Sequence, residues 1–441
     1  MIEDYCESLF GNGFSKRQVL GCTNKKKGIN HDNGAEDEEY EEEEGEGYLH
    51  CYENTVSKAM YCDASNLVID SSAIAINSFG GESIESVLNR DEDDEYPRYN
   101  SHSFLPACAL SADMVIPERR QFTFYQHDVL SAIQKSTVIL RSQYAHLADL
   151  YCHPHPSFPS SLYVFTTRYE YANLYHTATD WYNMFQILRT LGIRRHSFQV
   201  FLFFFVFDGH PWGALDEAWT LAFANFTYIK RIHNSTQPYV CANRAIFVPS
   251  GYIGGLALKY HKCLRASRYV QEFAQWFLEG FGLKPTTNRI QNKIQIVLIC
   301  RKDYIPHPRK PSKKVGRKFK SDVEVEKVLK EIVIDGFEIN VNRVYLEEVN
   351  IQQQLKVISS TDVLIGVHGA GMTHVLFLPP KSGVIEIVPQ LYSGRMHFQY
   401  LSTWAGHVYE KISAAGSDES IHPNFEQLKL AVQKVVVQIL T

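Results

Sequence analysis

The seven residues His368-Gly-Ala-Gly-Met-Thr-His374, coming straight off the apolar run Thr361-Asp-Val-Leu-Ile-Gly-Val367, constrain this chain more than any other stretch. The run has the length and β-branched content of a buried strand, and the glycines after it let backbone N–H groups approach a ligand that any Cβ would hold off. Thr373 is placed to cap a helix starting there, whose first amides and dipole favour an anion, so a diphosphate is the first ligand to consider. The spacing of Gly366, Gly369 and Gly371 is not the G-x-G-x-x-G of the dinucleotide fold, and no G-x-x-x-x-G-K-[ST] occurs. An ordinary strand-to-helix turn is the competing explanation of the same glycines.

A chain of 441 residues with 45% hydrophobic and 13% aromatic content has ample material for a core, in about three units of ~150 residues or two larger lobes. The net charge of -5 gives no footprint for nucleic acid, so any phosphate site must be local. The longest apolar run, Phe198 to Phe207, is shorter than the ~20 residues of a membrane span and reads as a core strand. Neither a membrane helix nor a signal peptide is visible, so an anchor, if the protein works in the secretory pathway, is expected outside this chain. Nine scattered cysteines without C-x-x-C pairs speak against a zinc module. The triplets Asn225-Phe-Thr and Asn234-Ser-Thr are glycosylation sequons of the kind a luminal protein carries.

Residues 34–47 form an acidic block that cannot bury apolar surface and reads as a solvated insertion, and Arg90 to Pro97 reads as a second polar loop. Residues 127–149 carry modest helical periodicity. From residue 161 the pattern becomes strand, helix over Tyr169 to Thr190, strand over Val200 to Phe207, then helix near Ala214, which predicts a parallel sheet covered on both faces. Arg265 to Phe281 is an amphipathic helix stopped by Gly282 and Pro285. A second α/β lobe starts with the strand Ile294 to Cys300 and continues through a helix at 321–334 and the strands at 361–367 and 383–388. The expected organisation is an N-terminal extension over 1–150, one α/β lobe over 151–285 and another over 292–441, with ligand between them at the carboxyl ends of strands.

Arg301 sits at the end of the 294–300 strand and Arg309 eight residues on, both suited to pair with phosphate oxygens and expected to face the glycine turn. Glu386 is the one acid in an apolar strand; sugar hydroxyls would satisfy it, as would backbone amides. His176 and Asp180 are four apart, so a helix puts them on one face as a candidate acid/base pair. Cys152-His-Pro-His-Pro156 lacks the partners of a metal site.

Four blocks resemble the family 61 glycosyltransferases, and within them the branch of core N-glycan β-1,2-xylosyltransferases: Cys6 to Phe14, Thr167 to Trp181, Arg301 to Arg309 and Asp362 to Phe377. The second is the most specific to that branch. The resemblance covers residues 6–97 and 151–441; it departs at the acidic insertion, at Met372 where leucine is usual, at Cys152 to Pro156, and in the missing anchor and stem. It implies a GT-B-like architecture, two Rossmann-like lobes facing a central cleft, and inverting transfer of xylose from UDP-xylose to O-2 of the core β-mannose of N-glycans. It implies donor binding by Arg301, Arg309, His368, Gly369, Ala370, Gly371, Thr373, His374 and Glu386. The base is Asp180, or His176 oriented by it, and the expected transfer uses no metal or other cofactor, leaving arginines and helix amides to hold the diphosphate. A Golgi lumen setting follows, as a type II membrane protein when full length. The alternatives are another family 61 transferase moving O-GlcNAc or arabinose, and an inactive glycan-binding or scaffold homologue.

Overall fold

The computed structural model describes residues 2–19, 24–27, 40–43, 48–78, 80–100, 102–106, 129–130, 161–195, 201–206, 208–223, 226–232, 238–257, 262–287, 289–305, 307, 309 and 315–441. The first part holds helix α1 (Ile2–Phe10) and strands β1 (Phe14–Val19), β2 (Leu49–Asn54), β3 (Met60–Asp70) and β4 (Phe104–Pro106). Then come β5 (Ser161–Thr166), α2 (Leu174–Thr190), β6 (Phe201–Val206), α3 (Asp216–Ala222), β7 (Phe226–Tyr228), β8 (Tyr239–Phe247) and α4 (Arg268–Gly280). The last part comprises β9 (Lys293–Cys300), α5 (Asp322–Lys330), β10 (Glu338–Tyr345), α6 (Ile351–Ile358), β11 (Val363–Val367), β12 (Gly383–Pro389), α7 (His397–Ala405), β13 (Val408–Ser417), β14 (Ser420–Pro423) and α8 (Phe425–Leu440).

The strands build two main sheets. The first runs β1-β2-β3-β8-β5-β6-β7, with β4 also on β3. Its β8-β5-β6-β7 half is parallel, as expected for the strands from residue 161 on, while β1, β2, β3 and β8 pair antiparallel. The antiparallel half comes from residues before 107, which the sequence placed in an extension and which here add four strands to the sheet. The second sheet runs β10-β9-β11-β12-β13-β14, parallel except for the edge strand β14. In it the chain starts at β9, steps out to β10 and returns on the other side as β11, which makes the crevice beyond β9 and β11 the place where ligands of such sheets bind.

Burial follows the strand period. Along β9, Ile294, Ile296, Leu298 and Cys300 enter one apolar cluster with Leu428, Val432 and Val436 of α8, while Val297 and Ile299 enter another. That other cluster is continuous from β5 and β8 of the first sheet, through α2, α4 and α7, to β9, β11 and β12 of the second. One core therefore joins the two sheets. α2 lies in its middle, with 14 of its 17 residues buried.

A helix so enclosed must draw its polar partners from elsewhere in the chain, and His176 Nδ1, Trp181 Nε1 and Asn183 Oδ1 have none among the described residues. Gln186 donates to the carbonyls of Leu9 and Gly11, Tyr182 Oη donates to the Phe10 carbonyl, and Asn183 donates to the carbonyls of Pro249 and Ser250. The end of α1 is thereby fixed to α2. The Phe10 ring also lies against Trp404 of α7, and a Cys6–Cys263 disulfide ties α1 to the loop before α4. A second disulfide, Cys51–Cys62, joins residues directly opposite on β2 and β3.

Within the acidic block read as a solvated insertion, Tyr40–Glu43 forms a short strand antiparallel to Asn24–Lys27, with glutamate positions opposite lysine positions. Asn225 of the first sequon, the whole of the second, the 127–149 helical stretch apart from residues 129–130, and Cys152 to Pro156 lie outside the described residues. No helix among the described residues is long and apolar enough to cross a membrane.

The Cys6–Cys263 bond closes a loop of sequence separation 257, so its main effect is to restrict the unfolded chain. The double variant Cys6→Ser/Cys263→Ser is expected to lose about 3–5 kcal/mol in a denaturant titration. An unchanged midpoint would contradict the clamp.

Candidate active site

At the carboxyl ends of β9 and β11 the two strongest sequence features meet. A Cβ placed on Gly369 would lie 2.0 Å from Nη2 of Arg301, so the missing side chain is what lets the guanidinium lie against the turn. Gly369 also has φ +157°, a value that residues with side chains rarely adopt. Arg301 Nη1 donates to the Gly316 carbonyl at 3.1 Å. Burial, followed by the charge of Arg317, pushes the guanidinium below its ordinary value. Among the described residues Arg301 forms no ion pair, while Arg317 stacks over the Tyr392 ring at 5.2 Å. Two part-buried guanidinium groups that repel each other gain most from an anion between them.

The helix after the turn is a 3-10 helix, Ala370–Phe377, and Gly369 is its N-cap. Thr373 was expected to cap it; because the two glycines let the chain turn at once, the cap falls four residues earlier and Thr373 is buried inside. Gly371 offers its carbonyl to Nδ1 of His374 at 2.8 Å, and burial lowers that imidazole to about 4. Nδ1 must then carry the proton, leaving Nε2 as an acceptor.

Glu386 is fully buried, and both its oxygens are taken: Nδ1 of His368 lies 2.5 Å from one, and Tyr409 Oη donates to the other at 2.5 Å. Strand register brings this about, since Glu386 pairs with Gly366 across β11/β12 and His368 follows two residues on. The acid thus meets side-chain donors instead of the backbone amides considered from sequence. An Nδ1–H held by a carboxylate leaves the His368 Nε2 lone pair for a ligand.

In the first half of the site, Asn173 caps α2 by accepting from the Tyr175 N–H at 3.0 Å. His176 and Asp180 share a face of α2 but do not bond to each other. Asp180 accepts from the Gly251 N–H at 2.5 Å and from the Tyr169 N–H at 3.4 Å. Burial pushes its carboxyl well above the ordinary range, with the two N–H groups pulling the other way. Gly251 is required there, since a Cβ would come within 2.3 Å of the α2 backbone. His176 is part-buried among Tyr169, Tyr175 and Tyr252, whose centroids lie 5.0 to 5.6 Å from its own. Its Nδ1 has no partner among the described residues. Burial lowers its pKa and Glu170 partly offsets this, so the ring is neutral at pH 7 and able to accept a proton.

Arg309 has its charge taken up by Glu95, a fully buried acid that also bonds Nδ1 of His210 at 2.9 Å. It ties the 301–309 loop to the first sheet's loops. Nearby, carboxylate oxygens of Glu92 and Glu170 and a ring nitrogen of His307 lie within 4.8 Å of one another, a grouping able to hold a cation or to share an imidazolium charge. The Glu170 oxygen facing His307 already accepts the N–H groups of Tyr171 and Ala172 at 2.9 and 2.8 Å. The stretch read as a plain loop contains a D-x-D spacing, Asp91-Glu92-Asp93, but both aspartates are exposed and Asp91 spends an oxygen on the Asp93 N–H.

Sequence reasoning passed over Arg317, Tyr252, Tyr409, His397 and the Glu92/Glu170/His307 group. Arg317 is hidden among lysines in the run Lys310 to Lys320, and Tyr252 and Tyr409 carry no motif. His397 had a usable cue, since it lies in the segment leaving the carboxyl end of β12.

Residues 49–385 match the Glycosyltransferase 61 family. A β-1,2-xylosyltransferase of Oryza sativa subsp. japonica is 28% identical over 445 aligned residues, covering 93% of this chain and 75% of that protein. A β-1,2-xylosyltransferase of Arabidopsis thaliana is 27% identical over 466 aligned residues, covering 93% and 82%. An EGF domain-specific O-linked N-acetylglucosamine transferase of Pan troglodytes is 26% identical over 227, covering 49% and 38%.

The Asp180 geometry makes a stability prediction. Asp180→Ala strands the buried Gly251 N–H and is expected to cost about 1–3 kcal/mol in chemical denaturation. A variant as stable as the parent would remove Asp180 from its positioning role.

Proposed function

Because the chain belongs to the glycosyltransferase 61 family, we propose that it is an inverting β-1,2-xylosyltransferase of GT-B-like architecture, moving xylose from UDP-xylose to O-2 of the core β-mannose of N-glycans. The observation that carries the choice of sugar is that similarity to two xylosyltransferases extends over 93% of the chain, against 49% for the N-acetylglucosamine transferase.

In this reading the second sheet holds the donor. Arg301 and Arg317 take the diphosphate against the Gly369–Gly371 turn, joined by the first amides of the 3-10 helix. His368, held by Glu386, and His374 present acceptor nitrogens to N–H or O–H groups of the donor. The first sheet brings the acceptor. The mannose hydroxyl gives its proton to His176 as its oxygen attacks the anomeric carbon from the face opposite the diphosphate. The bond from that carbon to the phosphate oxygen breaks, and its electron pair leaves with UDP. Asp180 holds α2 and the 250–252 loop in place and so positions His176.

No step in this scheme calls on a metal ion, since two guanidinium groups already face the leaving charge. The Golgi lumen is the compartment we assign. The Cys6–Cys263 and Cys51–Cys62 disulfides support an oxidising compartment.

The test is incubation with UDP-xylose and a defined GlcNAc-terminated N-glycan, with and without EDTA, read by mass for one added pentose. The expected result is a product of one pentose in both arms. Transfer only from UDP-GlcNAc or a UDP-arabinose donor would move the chain to another family 61 activity. UDP binding without turnover on any donor would make it a glycan-binding homologue, and loss of transfer in EDTA with rescue by manganese would overturn metal independence.

A further inference from the structure

The His397 ring, first in α7, lies where the two halves of the site meet. It stands edge-on to Tyr175 of α2, centroids 5.2 Å apart, and edge-on to His368 of the glycine turn at 6.0 Å. Phe398 lies against it at 6.2 Å. No other ring among the described residues makes contacts with both Tyr175 and His368.

The imidazole has aromatic neighbours and no polar partner for its inner nitrogen: Nδ1 is buried and makes no hydrogen bond among the described residues. Burial, then the charges of His368, Arg395 and His176, lowers it to about 4, so it is uncharged at physiological pH. A neutral imidazole offers one donor and one acceptor, which suits a hydroxyl and suits a diphosphate poorly. The diphosphate has its own cations in Arg301 and Arg317. The acceptor hydroxyl has His176. What must lie between the two, in an in-line transfer, is the sugar ring of the donor, which presents hydroxyls at its rim and C–H groups on its faces. His397 with Tyr175 and Phe398 offers a matching set of surfaces.

We propose, resting on the donor and base assignments above, that His397 hydrogen-bonds a hydroxyl of the sugar being transferred and so reads the sugar and not the nucleotide.

The experiment compares calorimetric affinities of the parent, His397→Ala and His397→Gln for UDP and for UDP-xylose, with UDP-GlcNAc measured alongside and melting temperature on the same preparations. His397→Ala is expected to leave UDP affinity within about twofold and to weaken UDP-xylose by roughly three- to tenfold, the worth of one neutral hydrogen bond. His397→Gln keeps a donor and an acceptor and is expected to recover part of the loss; it also carries the comparison if the alanine variant is unfolded. Equal weakening of UDP and UDP-xylose would overturn the proposal by making His397 a nucleotide or packing residue, and unchanged affinity for both would overturn it as well. If the parent prefers UDP-GlcNAc and that sugar nucleotide shows the selective loss, the choice of xylose falls while the role of His397 stands.

Discussion

The burial of α2 between the two sheets is the constraint on which the rest of the structure depends. With 14 of 17 residues out of solvent, its polar side chains can only be satisfied by other parts of the chain. Four of them each select a neighbour: Gln186 and Tyr182 the end of α1, Asn183 the backbone at 249–250, Asp180 the N–H of Gly251. These bonds set the rotation of the helix, and so its first turn presents His176 to the aromatic ring group shared with Tyr252. A substitution in the middle of α2 would therefore be felt at its amino end, over two turns away.

The second sheet prepares its half of the site by a different route. Its strand order opens a crevice beyond β9 and β11, and the absence of a Cβ at Gly369 lets Arg301 close over the turn. Glu386, buried in a strand that is otherwise apolar, is offset by His368 and Tyr409, which also fixes which His368 nitrogen faces outward. Among the described residues Arg301 and Arg317 form no ion pair, whereas Arg309 and the buried Arg168, paired with Asp208 and Asp216, have theirs. That contrast separates arginines that build the fold from those proposed to meet a ligand.

Much of this was legible in the sequence where one local pattern decided the outcome. The apolar strands at 294–300, 361–367 and 383–388 follow from periodicity, as do the helices expected over 169–190 and 265–281 and found at 174–190 and 268–280, and the glycine turn follows its strand as read. Less legible were features set by distant partners. The antiparallel half of the first sheet is built by short strands of mixed composition, Leu49–Asn54 and Phe104–Pro106, which gain their identity only by pairing with β3. The i,i+4 spacing made His176 and Asp180 a candidate acid/base pair on one face, but Gly251, about 70 residues later, claims the carboxylate. Arg309 looked like a companion of Arg301 because it follows it closely, yet Glu95 holds it. No spacing rule could join His397 to Tyr175 and His368, which are far from it in sequence and meet it only in the packed core.

The central claim is a division of labour on α2, with His176 accepting the proton and Asp180 holding the helix. Transfer rates of His176→Gln and Asp180→Asn, measured on folded preparations with UDP affinity determined alongside, test it most directly. Asparagine keeps an acceptor oxygen for the Gly251 N–H, while glutamine at 176 has no nitrogen able to take a proton. The account predicts that His176→Gln loses about 100-fold or more in turnover with UDP affinity intact, and that Asp180→Asn stays within about tenfold of the parent. A folded Asp180→Asn protein with the larger loss, beside a His176→Gln protein that still turns over, would contradict it.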